Sequence, residues 1–418
     1  MNKLERIVYD LVKSSPWIKL AIRNAYQSTL DLLPNKPNIL PDSVSCKEGF
    51  YYGFHDTTPF SKDNSKVLSN KLLKQDLKMP IAGEPLSVGY FDCVDGQLKE
   101  YHEIGKSYAW NYHKGCRLQW VDDNRVIFNT VKDGKLCGEI VDIQSGKSTF
   151  IDRPIDTVSP CGKFAISFSY TRLEYCMSGY GYPYDDGEAY LDKVYPDQTG
   201  LYLVNLDTNS SEMLYSIEML YNDLKGYDNK ADFKHYVTHT EFSPCGKYIS
   251  FMHRWASEKD KNLRFSRLLI YDIEKREYKE LPTNGMVSHY VWRNSKILVY
   301  CRVKDIDAHV EFDVTNDTHR IILPNILNSD GHQSYINDSE FVTDIYPDRF
   351  RMQKLYRVNK DNDSIELLAS TRHPKKFQSS AQKGHTSCDY HPVCSTDGKY
   401  VCFDAIINNT RSLCVLPL

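Results

Sequence analysis

The sequence predicts an all-β fold: a seven-bladed β-propeller with a short α-helical N-terminal extension. Three observations predict it. Aromatic residues make up 12% of the 418 residues, with 30 Tyr, which suits sheets better than helical bundles. A phrase of short strand, Ser-Pro-Cys-Gly-Lys turn and second apolar strand recurs along the chain. Its copies and relatives can be set in one register at seven places, spaced as blades require.

The first element is different. In residues 1–36, Leu4, Ile7, Val8, Leu11 and Val12 recur at helical spacing. After the Ser14-Ser15-Pro16 break, Ile18, Ala21, Ile22, Ala25 and Tyr26 do the same. Lys3, Arg6, Lys13, Lys19 and Arg23 give this amphipathic extension a basic face. Two readings stay open: peripheral membrane contact, or an apolar face packed on the main domain or a partner.

Residues 37–418 are read as the propeller. The turn phrase is clearest at Ser159-Pro160-Cys161-Gly162-Lys163 and Ser243-Pro244-Cys245-Gly246-Lys247, with Ser395-Thr396-Asp397-Gly398-Lys399 as a third copy. Gly supplies a positive φ and Lys opens the next strand. In the best-preserved unit a third strand (267–273) and a fourth (277–281) follow, the four antiparallel strands of a blade. Weaker copies anchor at Ser61, Val121, Arg293 and Ile336, so the anchors are 61, 121, 159, 243, 293, 336 and 395. The longest interval, 84 residues, is assigned a helical insertion at about 210–224. After anchor 395 only two strands remain, so residues 37–50 are expected to supply the missing outer strand and close the ring.

Lys+Arg at 52 against Asp+Glu at 55 leaves a net charge of −3, which gives a nucleic-acid partner no support. Twelve Cys are spread along the chain, several in apolar runs, which fits free thiols in a reducing compartment. No secretory signal and no 18-residue apolar run is seen. The expected location is cytoplasmic, with contact at the inner membrane face through residues 1–36 as the alternative.

Inner strands of a propeller line its channel. Four residues before the anchors stand Thr57, Arg117, Ile155, His239, His289, His332 and His391. Four consecutive blades carry His, although His is only 13 of 418 residues. Either these imidazoles converge on a metal or anion, or each bonds to a neighbouring blade. Cys388 and Asp389 precede His391. Cys388 with His239, His332 and His391 would make a zinc site, and Asp389 would favour a harder ion such as manganese or calcium. Cys388 as a plain small residue is equally open.

A second cluster holds Tyr112-His113-Lys114-Gly115-Cys116-Arg117, then Tyr170 and Arg172 at the expected end of a strand, then the loop Gly179-Tyr180-Gly181-Tyr182. With His55 and His289, Arg117 and Tyr180 are candidate substrate contacts. Such groups suit an acidic sugar: cations neutralise the carboxylate, and Tyr or His exchanges a proton. The alternative is that Arg172 forms a structural ion pair and the Tyr residues pack between blades. The remaining His, including His102, His235, His253, His309, His319, His373 and His385, are expected to be surface or local structural residues. No phosphate loop and no Gly-x-Ser-x-Gly elbow is present.

The phrases Trp110-Asn111-Tyr112-His113-Lys114-Gly115, His239-Thr240-Glu241-Phe242, Ser288-His289-Tyr290, Asp330-Gly331-His332 and Asp389-Tyr390-His391-Pro392 resemble the seven-bladed propeller polysaccharide lyases. The resemblance is to ulvan lyases first and oligogalacturonate lyases more distantly. It implies β-elimination on a uronic-acid polysaccharide or oligosaccharide, with a divalent metal among the channel His. It further implies His113 on the carboxylate side, Arg172 on the substrate, and His239, His332, Cys388 and His391 on the metal. Where a Tyr base is implied on the inner strand of blade three, this chain has Ile155-Asp156, so Tyr170 or Asp156 takes that role. The rival expectation is a non-catalytic propeller that binds a glycan or protein in surface-polysaccharide assembly.

Overall fold

The computed structural model describes residues 21, 22, 25, 27–29 and 36–418, apart from 185, 186, 189, 228, 229, 260–262 and 380–383. Most of the N-terminal extension therefore lies outside the described residues. Of the part described, Gln27 is buried and donates through Nε2 to the Asp348 carbonyl at 3.0 Å.

The described strands run from β1 (Ser45–Glu48) to β28 (Thr410–Pro417), and they form seven four-stranded antiparallel sheets. Blade one is β2–β5, within Phe50–Ser107, and blade two is β6–β9, within Gln119–Ile151. Blade three comprises β10 (Thr157–Val158), β11 (Phe164–Ser167), β12 (Gly200–Asn205) and β13 (Ser210–Ser216). Blade four comprises β14 (Phe233–Phe242), β15 (Tyr248–Ser257), β16 (Arg264–Asp272) and β17 (Glu277–Glu280). Blade five is β18–β21, within Val287–Ile322, and blade six is β22–β25, within Gln333–Arg372. Blade seven runs β26 (Val393–Cys394), β27 (Tyr400–Ile407), β28 and then β1. The ring closes as expected: Ser45, Cys46, Lys47 and Glu48 pair with Val415, Cys414, Leu413 and Ser412. Pairing with β1 covers the edge of β28.

The recurring turn owes its repetition to one set of bonds. Ser61, Ser159, Ser243 and Ser395 each accept at Oγ from the backbone N–H five residues on, at 2.9, 3.1, 3.0 and 3.1 Å. The N–H three residues on closes the turn onto each Ser carbonyl, from Asn64, Gly162, Gly246 and Gly398. All four closing residues have φ between +59° and +72°, which Gly and Asn tolerate. Apolar clusters fill the gaps between blades; one, with Val342, Leu355, Phe403 and Cys414, joins blades six and seven.

The expected helical insertion needs correcting. Ser210–Ser216 is β13, and only α2 (Ile217–Asp223) is helical, capped by Ser216 Oγ accepting from Met219 N. A helix also stands where the sequence was read as a strand end: α1 (Tyr170–Cys176) starts at Ser169, whose Oγ caps Arg172 N. An N-cap Ser ends the strand, because its side chain satisfies an orphan helix donor. The described cysteines are all free, and no described helix is long and apolar enough to cross a membrane.

Candidate functional site: a histidine chamber on the propeller axis

Inner strands deliver side chains to the axis through backbone irregularity. Arg117, His239 and His391, all four residues before their anchors, have φ of +58°, +51° and +45°. The β14–β15 register shifts at His239, between Thr238 and Thr240, and the register between β18 (Val287–Arg293) and β19 (Lys296–Val303) shifts around His289. Such bulges re-aim a side chain at a local cost of roughly 1–3 kcal/mol in backbone strain.

Phe54 is the hub. Its loop is held by Tyr52 N and Gly53 N, which donate to the Asp404 carboxylate at 2.9 and 3.1 Å. At Gly53, φ is +120° and a Cβ would stand 2.9 Å from the Lys114 carbonyl carbon, so no side chain fits. The rings of His55, His113, His239, His289, His332 and His391 surround Phe54 at centroid distances from 4.6 to 6.1 Å. Packed neighbours are His289 and His332 at 4.0 Å and His332 and His391 at 4.3 Å. The four inner-strand imidazoles thus converge, as their register implied.

Carboxylates orient two of these rings. His332 Nδ1 bonds Asp344 at 2.9 Å, and His289 Nδ1 bonds Asp330 at 3.1 Å, so each Nε2 is left for the chamber. His239 Nδ1 bonds Thr238 Oγ1 at 2.9 Å. Burial first, and neighbouring imidazoles or cations second, push His55, His113, His239 and His391 well below the usual histidine range. The rings are therefore neutral at pH 7 and offer lone pairs. Burial lifts the Asp344 and Asp389 carboxyls to about 7.

Among the described residues one group has metal-ligand proximity: His113, Asp389 and His391, with ligand atoms within 4.8 Å of one another. His113 Nδ1 is 3.9 Å from Asp389 Oδ2. Among the described residues, both ring nitrogens of His113 and of His55, and Nε2 of His332 and His391, are buried without a hydrogen-bond partner. Buried polar atoms are seldom left so. Imidazole and carboxylate donors facing one space fit a divalent cation.

Lys114, whose Nζ lies 5.0 Å from the Phe54 ring centroid, belongs to a buried ionic group beside the imidazoles. Lys114 Nζ is 3.2 Å from Asp156 Oδ1, and Arg117 Nη1 is 2.6 Å from Asp56 Oδ1. Asp156 also accepts from Tyr170 OH at 2.8 Å and from Thr240 N and Oγ1 at 2.9 and 2.8 Å. Burial alone would raise the Asp156 carboxyl, but Arg117 and Lys114 hold it well below the usual range.

Several expected site residues are used structurally. Tyr170 is buried, stacks on Tyr182 at 4.5 Å, and has its phenol pushed far up by burial and by anionic Asp156. A base needs the opposite shift. Asp156 is saturated by its donors, and Arg117 is bound to Asp56 and to Asp156. Arg172 is buried and donates to the carbonyls of His235, Tyr190, Lys193 and Val194, so its guanidinium clamps a loop. Cys388 packs with Phe377 and Ile406 rather than with the imidazoles, and burial raises its thiol to about 12. Its neighbour Asp389, not Cys388, lies within 4.8 Å of the donor atoms of His113 and His391.

Tyr180, a candidate from the sequence, lies 4.2 Å from His113. His385, expected among the surface or local structural histidines, lies 4.5 Å from His113 and 5.0 Å from Tyr180. Two arginines and a tyrosine that were not site candidates are also near. Arg254 on β15 is buried, donates to the Val287 carbonyl at 3.1 Å, and acts electrostatically on His239 and Tyr180. Arg264, at the start of β16, acts on Tyr180 and His385. Tyr346 stands 5.7 Å from His332.

No protein-family model matches this chain, and no curated protein sequence matches it. Among solved structures it is similar to an oligogalacturonate lyase in complex with manganese: TM-score 0.60, 14% identity, covering 92% of this chain and 97% of that one. It also matches the tricorn protease (TM-score 0.49, 12% identity, 93% of this chain and 34% of that one) and TolB from Acinetobacter baumannii (TM-score 0.40, 12% identity, 84% and 80%). At such identities the likeness shows the fold alone, the seven-bladed propeller.

Proposed function

We propose that the chain is a lyase that cleaves a uronic-acid-containing oligosaccharide or polysaccharide by β-elimination in the histidine chamber. The observation that carries this is the convergence of neutral, partly unpartnered imidazoles with Arg254, Arg264 and Tyr180 beside them. The substrate carboxylate is held by Arg254 and Arg264, which lowers the acidity barrier at C5. His239, neutral and beside Arg254 and Tyr180, accepts the C5 proton. The glycosidic oxygen leaves C4 as the C4–C5 double bond forms, and Tyr180 is placed to return a proton to it. Support also comes from the fold shared with the oligogalacturonate lyase, whose complex holds manganese.

His113, Asp389 and His391 would hold a divalent cation. Once bound, it supplies a Lewis acid that screens carboxylate charge. The metal could be zinc, manganese or calcium; the imidazole–carboxylate donor set suits manganese as well as zinc.

Incubation with galacturonate, glucuronate and iduronate oligomers, with each metal added, should raise the ultraviolet absorbance of the new double bond. A flat trace with every substrate and metal would overturn the proposal. The engagement of Tyr170 and Arg172 in structure favours a second reading, an acidic-glycan binder without turnover. Saturable calorimetric binding beside that flat trace would select it.

A further inference from the structure

The seam that closes the ring carries two cysteines face to face. Cys46 on β1 is the direct partner of Cys414 on β28. Two residues of register decide the geometry. Gly49 N donates to the Arg411 carbonyl at 2.8 Å, so the 49–411 pair is hydrogen-bonded. Bonded pairs recur every second residue, which makes 47–413 and 45–415 bonded and 46–414 non-bonded. In non-bonded antiparallel pairs the Cα atoms approach to about 4.5 Å and the side chains are closest. That is within the span a disulfide bridges.

The surroundings agree. Cys414 is fully buried in the cluster between blades six and seven, and Cys46 packs against the same cluster while remaining half-buried. Cys46 is the first neighbour to influence the Cys414 thiol, and Cys402 is the next. A solvent-borne oxidant can thus reach Cys46, and Cys414 waits beneath it.

We propose that Cys46 and Cys414 are an oxidative modification site, at which a disulfide staples the first strand of the propeller to its last. With a small-molecule disulfide as oxidant, the Cys46 thiolate attacks one of its sulfurs and releases one thiolate. Cys414, losing its proton to solvent, then attacks Cys46 Sγ and expels the second. The bridge forms, the protein loses two electrons and two protons, and the oxidant is reduced to two thiols. Because Cys414 is buried, the second step is the slower one. A staple here closes a loop from residue 46 to residue 414, nearly the whole chain, so it removes much freedom from the unfolded state.

The test uses the full chain equilibrated with mixtures of oxidised and reduced glutathione, followed by thiol counting and peptide mapping without reduction. Loss of two of the twelve thiols, one linked peptide pair containing Cys46 and Cys414, and a higher unfolding midpoint reversed by dithiothreitol are expected. Cys46→Ser should abolish all three, and Cys93→Ser should leave them intact. Glutathione trapped on Cys46, a bridge involving Cys402 or Cys93, or no thiol loss under strongly oxidising mixtures would each overturn the proposal.

Discussion

The hydroxyl of Tyr170 donates to Asp156 Oδ1 at 2.8 Å, and both groups are buried. The bond ties a phenol to an anion already paired with Lys114 and Arg117, so the tyrosine expected as the base is held in structure, whereas Tyr180, expected as a substrate contact, stands beside His113. Tyr170→Phe should cost about 1.5–3 kcal/mol of stability, the range for a hydrogen bond to a charged group, and leave turnover within a few-fold. Tyr180→Phe should do the reverse. Urea melts beside the ultraviolet assay distinguish them, and loss of turnover in Tyr170→Phe with an unchanged melt would be the contrary result.

Removing the anion is more severe. Asp156→Asn leaves Lys114 and Arg117 short of a counter-charge in a buried group, which should lower stability by about 3–5 kcal/mol. The shift of the urea midpoint measures this, and a shift under 1 kcal/mol would mean that the group relaxes.

Arg254 is expected to act on substrate. Arg254→Met keeps the apolar stem and removes the charge, so kcat/KM should fall by about 10²-fold or more. An unchanged kcat/KM would assign the carboxylate to Arg264 or to the cation.

The cation site has its own readout. Metal analysis after dialysis against manganese or zinc should find content reduced in Asp389→Asn and His113→Gln, and unchanged in Cys388→Ser. Equal content in all four proteins would move the ion elsewhere in the chamber.

Stability should also depend on pH through His309. Its Nδ1 faces the Gln333 amide at 2.9 Å and its Nε2 the Ser329 carbonyl at 3.1 Å, an arrangement made for the neutral ring. Burial lowers this histidine to about 4. The unfolded chain, at about 6.5, then binds the proton first, so this stabilisation is complete above pH 6.5 and is lost as pH falls towards 4. Each pH unit within that window should cost about 1.4 kcal/mol. Between pH 7.5 and 5 the stability of wild type, followed by urea melts, should fall by about 2 kcal/mol more than that of His309→Gln; equal losses would contradict this.

The parts of the molecule legible in the sequence are those with local causes. The turn at Ser159, Ser243 and Ser395 is written in five residues because its bonds stay within five residues. The same register then placed His239, His289, His332 and His391 around one axis. The rest depended on distant partners. Nothing near Arg172 announces that its guanidinium will meet four carbonyls, one of them 63 residues away at His235. Arg254 and Arg264 sit in the second and third strands of blade four, where residues usually pack between blades, and the loop bearing Tyr180 makes them part of the site. Ser210–Ser216 misled because its pattern carries no clear period and a true helix follows it directly.

Phe54 neighbours six imidazoles, and Lys114 Nζ lies 5.0 Å from its ring centroid, so one aromatic side chain is shared between the imidazoles and the buried ion pairs of Lys114 and Arg117 with Asp156 and Asp56. A smaller residue at this position would open one void against both groups and loosen them together.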